Sequence, residues 1–119
     1  MTIHFICTGN IYRSRLAEAY CASKGVPGLH VLSSGIKTAL NGGIPIAPYA
    51  ANVLRAYGLE RFAAPSWQQT TMALVRASDV LVFMEREHTA SARIGSTLSG
   101  RRSRYGIFRT SDRWMRHGS

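Results

Sequence analysis

Ile3-His4-Phe5-Ile6-Cys7-Thr8-Gly9-Asn10-Ile11-Tyr12-Arg13-Ser14 is the stretch on which the fold turns. Ile3 to Cys7 is a compact apolar run, and Thr8-Gly9-Asn10 follows it with turn-forming residues, so the segment reads as a buried strand that ends in a turn. From Arg13 to Lys24 the residues Leu16, Ala17, Ala19, Tyr20 and Ser23 recur at helical spacing. Gly25 and then Pro27 stop that helix.

Outward from this unit the pattern repeats. Leu29 to Ser33 predicts a second strand, and residues 34–48, rich in glycine and proline, predict a loop. Ala47 or Pro48 opens a helix that runs to Tyr57 and stops at Gly58. Trp67 to Arg76 predicts a third helix. Val80 to Met84 is an unbroken apolar run, expected of a strand covered on both faces. Glu85 onward reads as helical again. Strands alternating with helices imply βαβ units, and therefore an α/β fold: three layers, doubly wound, with a mostly parallel sheet of about four strands. Ligands of such sheets lie beyond the carboxyl ends of the strands, where the loop after Ile6 falls.

The chain has 119 residues, 45% of them hydrophobic, which suits one small domain able to bury a core without disulfides or metal. Residues 1–90 read as that core. Residues 91–119 are rich in Arg, Ser and Gly, and read as a basic, divergent segment in which Tyr105 to Phe108 suits one short strand; the C-terminal part is thus expected to be atypical or incomplete. The net charge of +9 is uneven: residues 93–119 hold seven Arg against a single acid, Asp112. A basic tail suits nucleic acid or an acidic partner, but Tyr105 and Trp114 are too few for a base-stacking platform, so nucleic acid is not expected. Two cysteines, Cys7 and Cys21, make no disulfide framework, and the scattered His4, His30, His88 and His117 make no metal site. The segment Met1 to Cys7 has neither the basic start nor the length of a signal peptide, and no long apolar run follows, so a soluble, cytoplasmic protein is expected.

Cys7 and Arg13 stand in C-x5-R spacing between strand and helix. A turn that leads into a helix N-terminus gathers backbone N–H groups in one concavity, and the helix dipole adds partial positive charge. Such a nest, formed here by Thr8, Gly9, Asn10, Ile11, Tyr12 and Arg13, suits a phosphate dianion. Arg13 has the planar fork that grips two phosphate oxygens. The same field favours the thiolate of Cys7, the form that attacks phosphorus in line. Gly9 permits close backbone approach, and Asn10 tolerates left-handed geometry. Ser14 is placed to donate a hydrogen bond to the Cys7 sulfur.

Cys7-Thr8-Gly9-Asn10, Arg13-Ser14 and Ala17-Glu18 together resemble the signature of the low-molecular-weight protein tyrosine phosphatases. Ser33-Ser34-Gly35 resembles the family's segment that braces the phosphate loop, with Ser34 as the brace. Ala47 to Gly58 resembles the helix that follows, and Ala77 to Met84 with Arg86-Glu87-His88 resembles a later strand and helix start. The resemblance covers about residues 3–90. It implies hydrolysis of phosphotyrosine or other aryl phosphate monoesters through a phosphocysteine, without cofactor.

The departures are specific. Tyr12 stands where many members have a second loop cysteine, and Arg15 where a proline usually follows the Arg-Ser pair. The aromatic residue that often lines the cleft is missing near Leu40, and a bracing histidine is missing near Phe62. The family's late Asp-Pro pair, whose aspartate is the general acid, does not occur; Asp112 is the one acid after Glu87 and the weak candidate for that role. A catalytically impaired phosphate- or phosphoprotein-binding protein is therefore the alternative function. Arsenate reduction is a lesser one, since it needs a relay of cysteines and Cys21 alone is at hand.

Overall fold

The computed structural model describes residues 1–84 and 107–109. Its element order is β1 (Thr2–Cys7), α1 (Arg13–Ser23), β2 (His30–Gly35), α2 (Pro48–Ala56), α3 (Met72–Arg76), β3 (Val80–Phe83) and β4 (Ile107–Arg109). Short 3-10 turns cover Thr38–Asn41 and Glu60–Phe62.

The four strands lie in the order β2-β1-β3-β4. β1 runs parallel to both neighbours, with Ile6 opposite Ser34 on one side and Phe83 on the other. β4 is antiparallel to β3, pairing Phe108 with Leu81. The chain first crosses from β1 to β2, then returns past β1 to β3. The fold is thus an α/β fold wound in both directions from β1, and its switch point lies at the carboxyl end of β1, at Cys7. Part of the segment set apart as a tail joins the sheet through β4. The boundary at residue 90, the helix from Glu85 and the segment Arg86-Glu87-His88 lie outside the described residues.

Among the described residues the apolar core is Ile6, Val75, Leu81 and Phe83, with Ile36 against them. β3 alternates, Leu81 and Phe83 buried and Val80 and Val82 half-buried, rather than being covered equally on both faces as its apolar run suggests. Beneath the sheet's centre lies a polar cluster. Ser78 Oγ gives its one hydrogen to the Leu74 carbonyl at 2.7 Å, so His4 Nδ1–H must donate to Ser78 Oγ at 3.2 Å. The neutral ring then accepts at Nε2 from Ser34 Oγ–H, 2.6 Å away. Burial holds the His4 pKa down at about 4, in keeping with that neutral form.

Two helices also depart from expectation. The helix foreseen over Trp67–Arg76 is confined to Met72–Arg76, where the Thr71 hydroxyl caps it by accepting from the Leu74 N–H at 3.1 Å. Residues 68–70 are extended instead, because their backbone pairs with Gly35: the Gly35 N–H donates to the Gln68 carbonyl and the Thr70 N–H to the Gly35 carbonyl. Secondly, α1 does not bury the apolar stripe its spacing suggests. Tyr20 is 57% exposed, while Ser14, Arg15, Glu18 and Ala19 are buried. No helix among the described residues is long and apolar enough to cross a membrane.

Candidate active site

The loop from Cys7 to Tyr12 leaves β1 and enters α1 with every peptide trans. Each of its first five carbonyls is tied to the surrounding scaffold. Cys7 O accepts from the Ile36 N–H and Thr8 O from the Lys37 N–H, both at 2.9 Å. Gly9 O accepts from Asn41 Nδ2 at 3.1 Å, Asn10 O from Arg15 Nη1 at 3.2 Å, and Ile11 O from the Ala47 N–H at 2.7 Å. In a trans peptide the N–H points opposite to the C=O. Pinning these carbonyls outward therefore turns the N–H groups of residues 8–12 inward, into one nest. The Asn10 N–H reaches Cys7 Sγ at 3.2 Å. The dipole of the eleven-residue helix α1 adds positive potential at the same place.

Asn10 holds the turn with φ +56°, the left-handed conformation expected of it. Its side chain is fully buried and every polar atom is used. Oδ1 accepts from the Gln68 N–H at 2.8 Å, and Nδ2 donates to Ser14 Oγ at 2.7 Å and to Ser33 Oγ at 2.9 Å. Ser33 in turn donates to Glu18 Oε1 at 2.9 Å. Ser14 Oγ lies 2.9 Å from Cys7 Sγ. Because Ser14 already accepts from Asn10, its own hydrogen is free to point at a Cys7 thiolate. The hydrogen-bond directions thus run from Asn10 through Ser14 to the sulfur.

The brace anticipated at Ser34 falls to Ser33. Neighbouring residues of a strand face opposite ways: Ser33 faces Asn10 and Glu18, whereas Ser34 faces His4 and Thr70. Gly35 matters more than either. A Cβ there would lie 2.7 Å from the Thr8 carbonyl oxygen and 2.8 Å from the Asn10 nitrogen, so the loop rests directly on its backbone. Gly9 also has a close neighbour, Asn41 Cβ at 3.2 Å from a built Cβ.

Arg13 opens α1 and is exposed, as is Tyr12. The Tyr12 ring meets Tyr49 edge to face at 5.6 Å, so an aromatic pair stands beside the loop although Leu40 is not aromatic. The bond from the Ala47 N–H to Ile11 O fixes the start of α2, and with it Tyr49, against the loop. Among the described residues, no three His, Cys, Asp or Glu side chains converge as metal ligands. Asp112 lies outside the described residues.

The family model of the low molecular weight phosphotyrosine protein phosphatases matches residues 2–109. The chain belongs to that family. A probable low molecular weight protein-tyrosine-phosphatase, EpsP, of Ralstonia nicotianae is 37% identical over 84 residues, 71% of this chain and 55% of that one. EpsP of Ralstonia solanacearum is equally similar over 83 residues, 70% of this chain and 54% of its own. This member of the low molecular weight phosphatases therefore spans about half the length of those relatives. Among solved structures, the YwlE arginine phosphatase from Geobacillus stearothermophilus superposes with a TM-score of 0.67 at 31% identity, covering 75% of this chain and 55% of the other. Vibrio vulnificus Wzb in complex with benzylphosphonate follows at 0.64 and 28%, covering 75% and 61%.

Sequence reasoning passed over Glu18, Asn41 and Gln68 as parts of the site. Glu18 was visible inside the signature, three residues after Arg15, a spacing that puts both on one helical face. Asn41 and Gln68 are recruited from distant loops, and no local pattern marks them.

Proposed function

We propose that this chain hydrolyses phosphotyrosine or other aryl phosphate monoesters through a phosphocysteine. The observation that carries this reading is the outward pinning of five loop carbonyls around a cysteine whose sulfur faces a serine hydroxyl. The loop N–H groups and the Arg13 fork bind the three non-bridging oxygens of the ester. The Cys7 thiolate attacks phosphorus, the S–P bond forms, and the P–O bond to the aryl group breaks. Water then attacks phosphorus, the S–P bond breaks, and inorganic phosphate leaves. The Ser14 hydroxyl stabilises sulfur both as nucleophile and as leaving group. The Tyr12 and Tyr49 rings, 39% and 63% exposed, supply the aromatic surface that suits an aryl group. A nucleophilic thiol supports a reducing, cytoplasmic setting.

The test is turnover of p-nitrophenyl phosphate by the 119-residue chain, with a rapidly quenched sample examined by mass spectrometry for phosphate on Cys7. No turnover, together with saturable binding of vanadate, would favour the phosphate-binding alternative. Phosphoarginine is the comparison substrate, because the Geobacillus relative is described as an arginine phosphatase. A higher kcat/KM on phosphoarginine than on phosphotyrosine would overturn the aryl assignment.

A further inference from the structure

Arg15 is 2% exposed, an unusual place for a guanidinium. It stands at the third residue of α1, in the turn where the helix dipole disfavours a cation. It is held there by backbone carbonyls from three separate segments. Nη1 donates to Asn10 O at 3.2 Å and to Pro45 O at 2.9 Å, and Nη2 donates to Ala64 O. Glu18, one turn on, is its counter-ion, with Oε1 3.7 Å from Arg15 Nε. Ala64 is thus tied to α1 through the Arg15 guanidinium, beside which Glu18 lies.

Two hydrogen-bonded routes then reach the loop from this one ion pair. Glu18 reaches the Asn10 side chain through Ser33. Arg15 reaches the Asn10 carbonyl directly. That carbonyl shares its peptide with the Ile11 N–H, so the guanidinium fixes which way that N–H points. Three of the five loop carbonyls are held by backbone N–H groups and one by a neutral amide; Asn10 O alone is held by a charged side chain.

We propose that Arg15 is a positioning residue of the phosphate site, which aims the Ile11 N–H into the anion nest by anchoring the Asn10 carbonyl to the loops at Pro45 and Ala64. The inference rests on the phosphatase reading of the site. Loss of the anchor lets one donor wander from the equatorial oxygens of the transition state. A ground-state anion held by the remaining donors suffers less. The effect therefore falls on kcat more than on KM.

Replacing Arg15 alone leaves Glu18 buried without its partner, which threatens folding. The test therefore uses R15M/E18Q, which removes both charges while Gln can still accept from Ser33, and R15K, which keeps the charge. Removing a single anion-hole donor costs roughly 10²–10³ in kcat, so mis-aiming one should cost at least about tenfold. The expected result is a folded R15M/E18Q with kcat down by at least about tenfold and KM changed by less than about threefold, and R15K recovering part of the loss. In ¹⁵N–¹H spectra the Ile11 amide of the wild type shifts saturably with inorganic phosphate, and that of the double variant does not.

A double variant that folds and keeps kcat within about twofold of the wild type overturns the inference. So does failure of both variants to fold, which would make Arg15 a stability residue, or a wild-type Ile11 amide that ignores phosphate. A wild type that binds phosphate without turning over any ester sinks the phosphatase reading instead, and the amide shift still decides the role of Arg15.

Discussion

Ser14 Oγ has one hydrogen, and Asn10 Nδ2 already occupies one of its lone pairs, so the hydrogen is available to Cys7 sulfur. Ser14→Ala should lower kcat by about 10-fold or more, because a charge-assisted bond to the leaving sulfur is lost. The loss should fall mainly on the second half-reaction, seen as phosphocysteine accumulating in quenched samples; a variant that turns over at the wild-type rate would remove Ser14 from the mechanism. Cys7→Ser should abolish hydrolysis and retain vanadate binding, measured by competition or calorimetry. Gly35→Ala drives a methyl group into backbone atoms of residues 8–10, which have no flexible end to give way. We expect a loss of phosphate affinity larger than that of any single side-chain deletion around the loop, read by titration with vanadate. Residues of this kind were legible unevenly. Cys7, Asn10 and Ser14 announce themselves through spacing, since loop and helix are local in sequence. Ser33 was displaced by one position onto Ser34, because strand alternation alone does not say which face meets the loop.

At the scale of elements, α1 inverts the usual rule for a surface helix. Its inward face holds Ser14, Arg15 and Glu18 beside Ala19, and hydrogen bonds tie it to the loop carbonyl of Asn10 and to Ala64. β1 departs similarly at His4, which is buried and neutral. The unfolded ring binds a proton at about 6.5 and the folded one at about 4. Between those values the unfolded state binds more protons, so stability falls as pH is lowered through that window, by on the order of 3 kcal/mol in full. Burial raises the Glu18 pKa and so opposes part of this trend from the carboxylate side. The His4 ring should be followed by its own NMR titration alongside urea unfolding from pH 7 to 4. A midpoint near 6.5 in the folded protein would show that the ring is solvated.

For the whole molecule, the loop proposed to bind phosphate lies within the described residues, and the 119 residues contain no Asp-Pro pair. General acid assistance is typically worth roughly 10²–10⁴-fold, and it matters most for basic leaving groups. For the 119-residue chain we expect kcat/KM to fall steeply across substituted phenyl phosphates as leaving-group pKa rises, with Asp112→Asn changing the slope little. A flat series that turns steep in Asp112→Asn would make Asp112 the acid.

By itself the sequence determined the order of strands and helices through residue 84 and put the loop after Ile6 at the carboxyl end of a strand. These follow from contacts between residues a few positions apart: apolar runs, helix spacing, turn residues. Tertiary structure decided what holds the loop in shape. The Gln68–Thr70 segment is extended because Gly35, more than thirty residues earlier, offers it a backbone to pair with. Arg15 stands where the family resemblance leads one to expect a proline, and is buried because carbonyls at Asn10, Pro45 and Ala64 converge on it. A buried cation needs partners gathered from several parts of the chain, and that convergence exists only once the chain has folded.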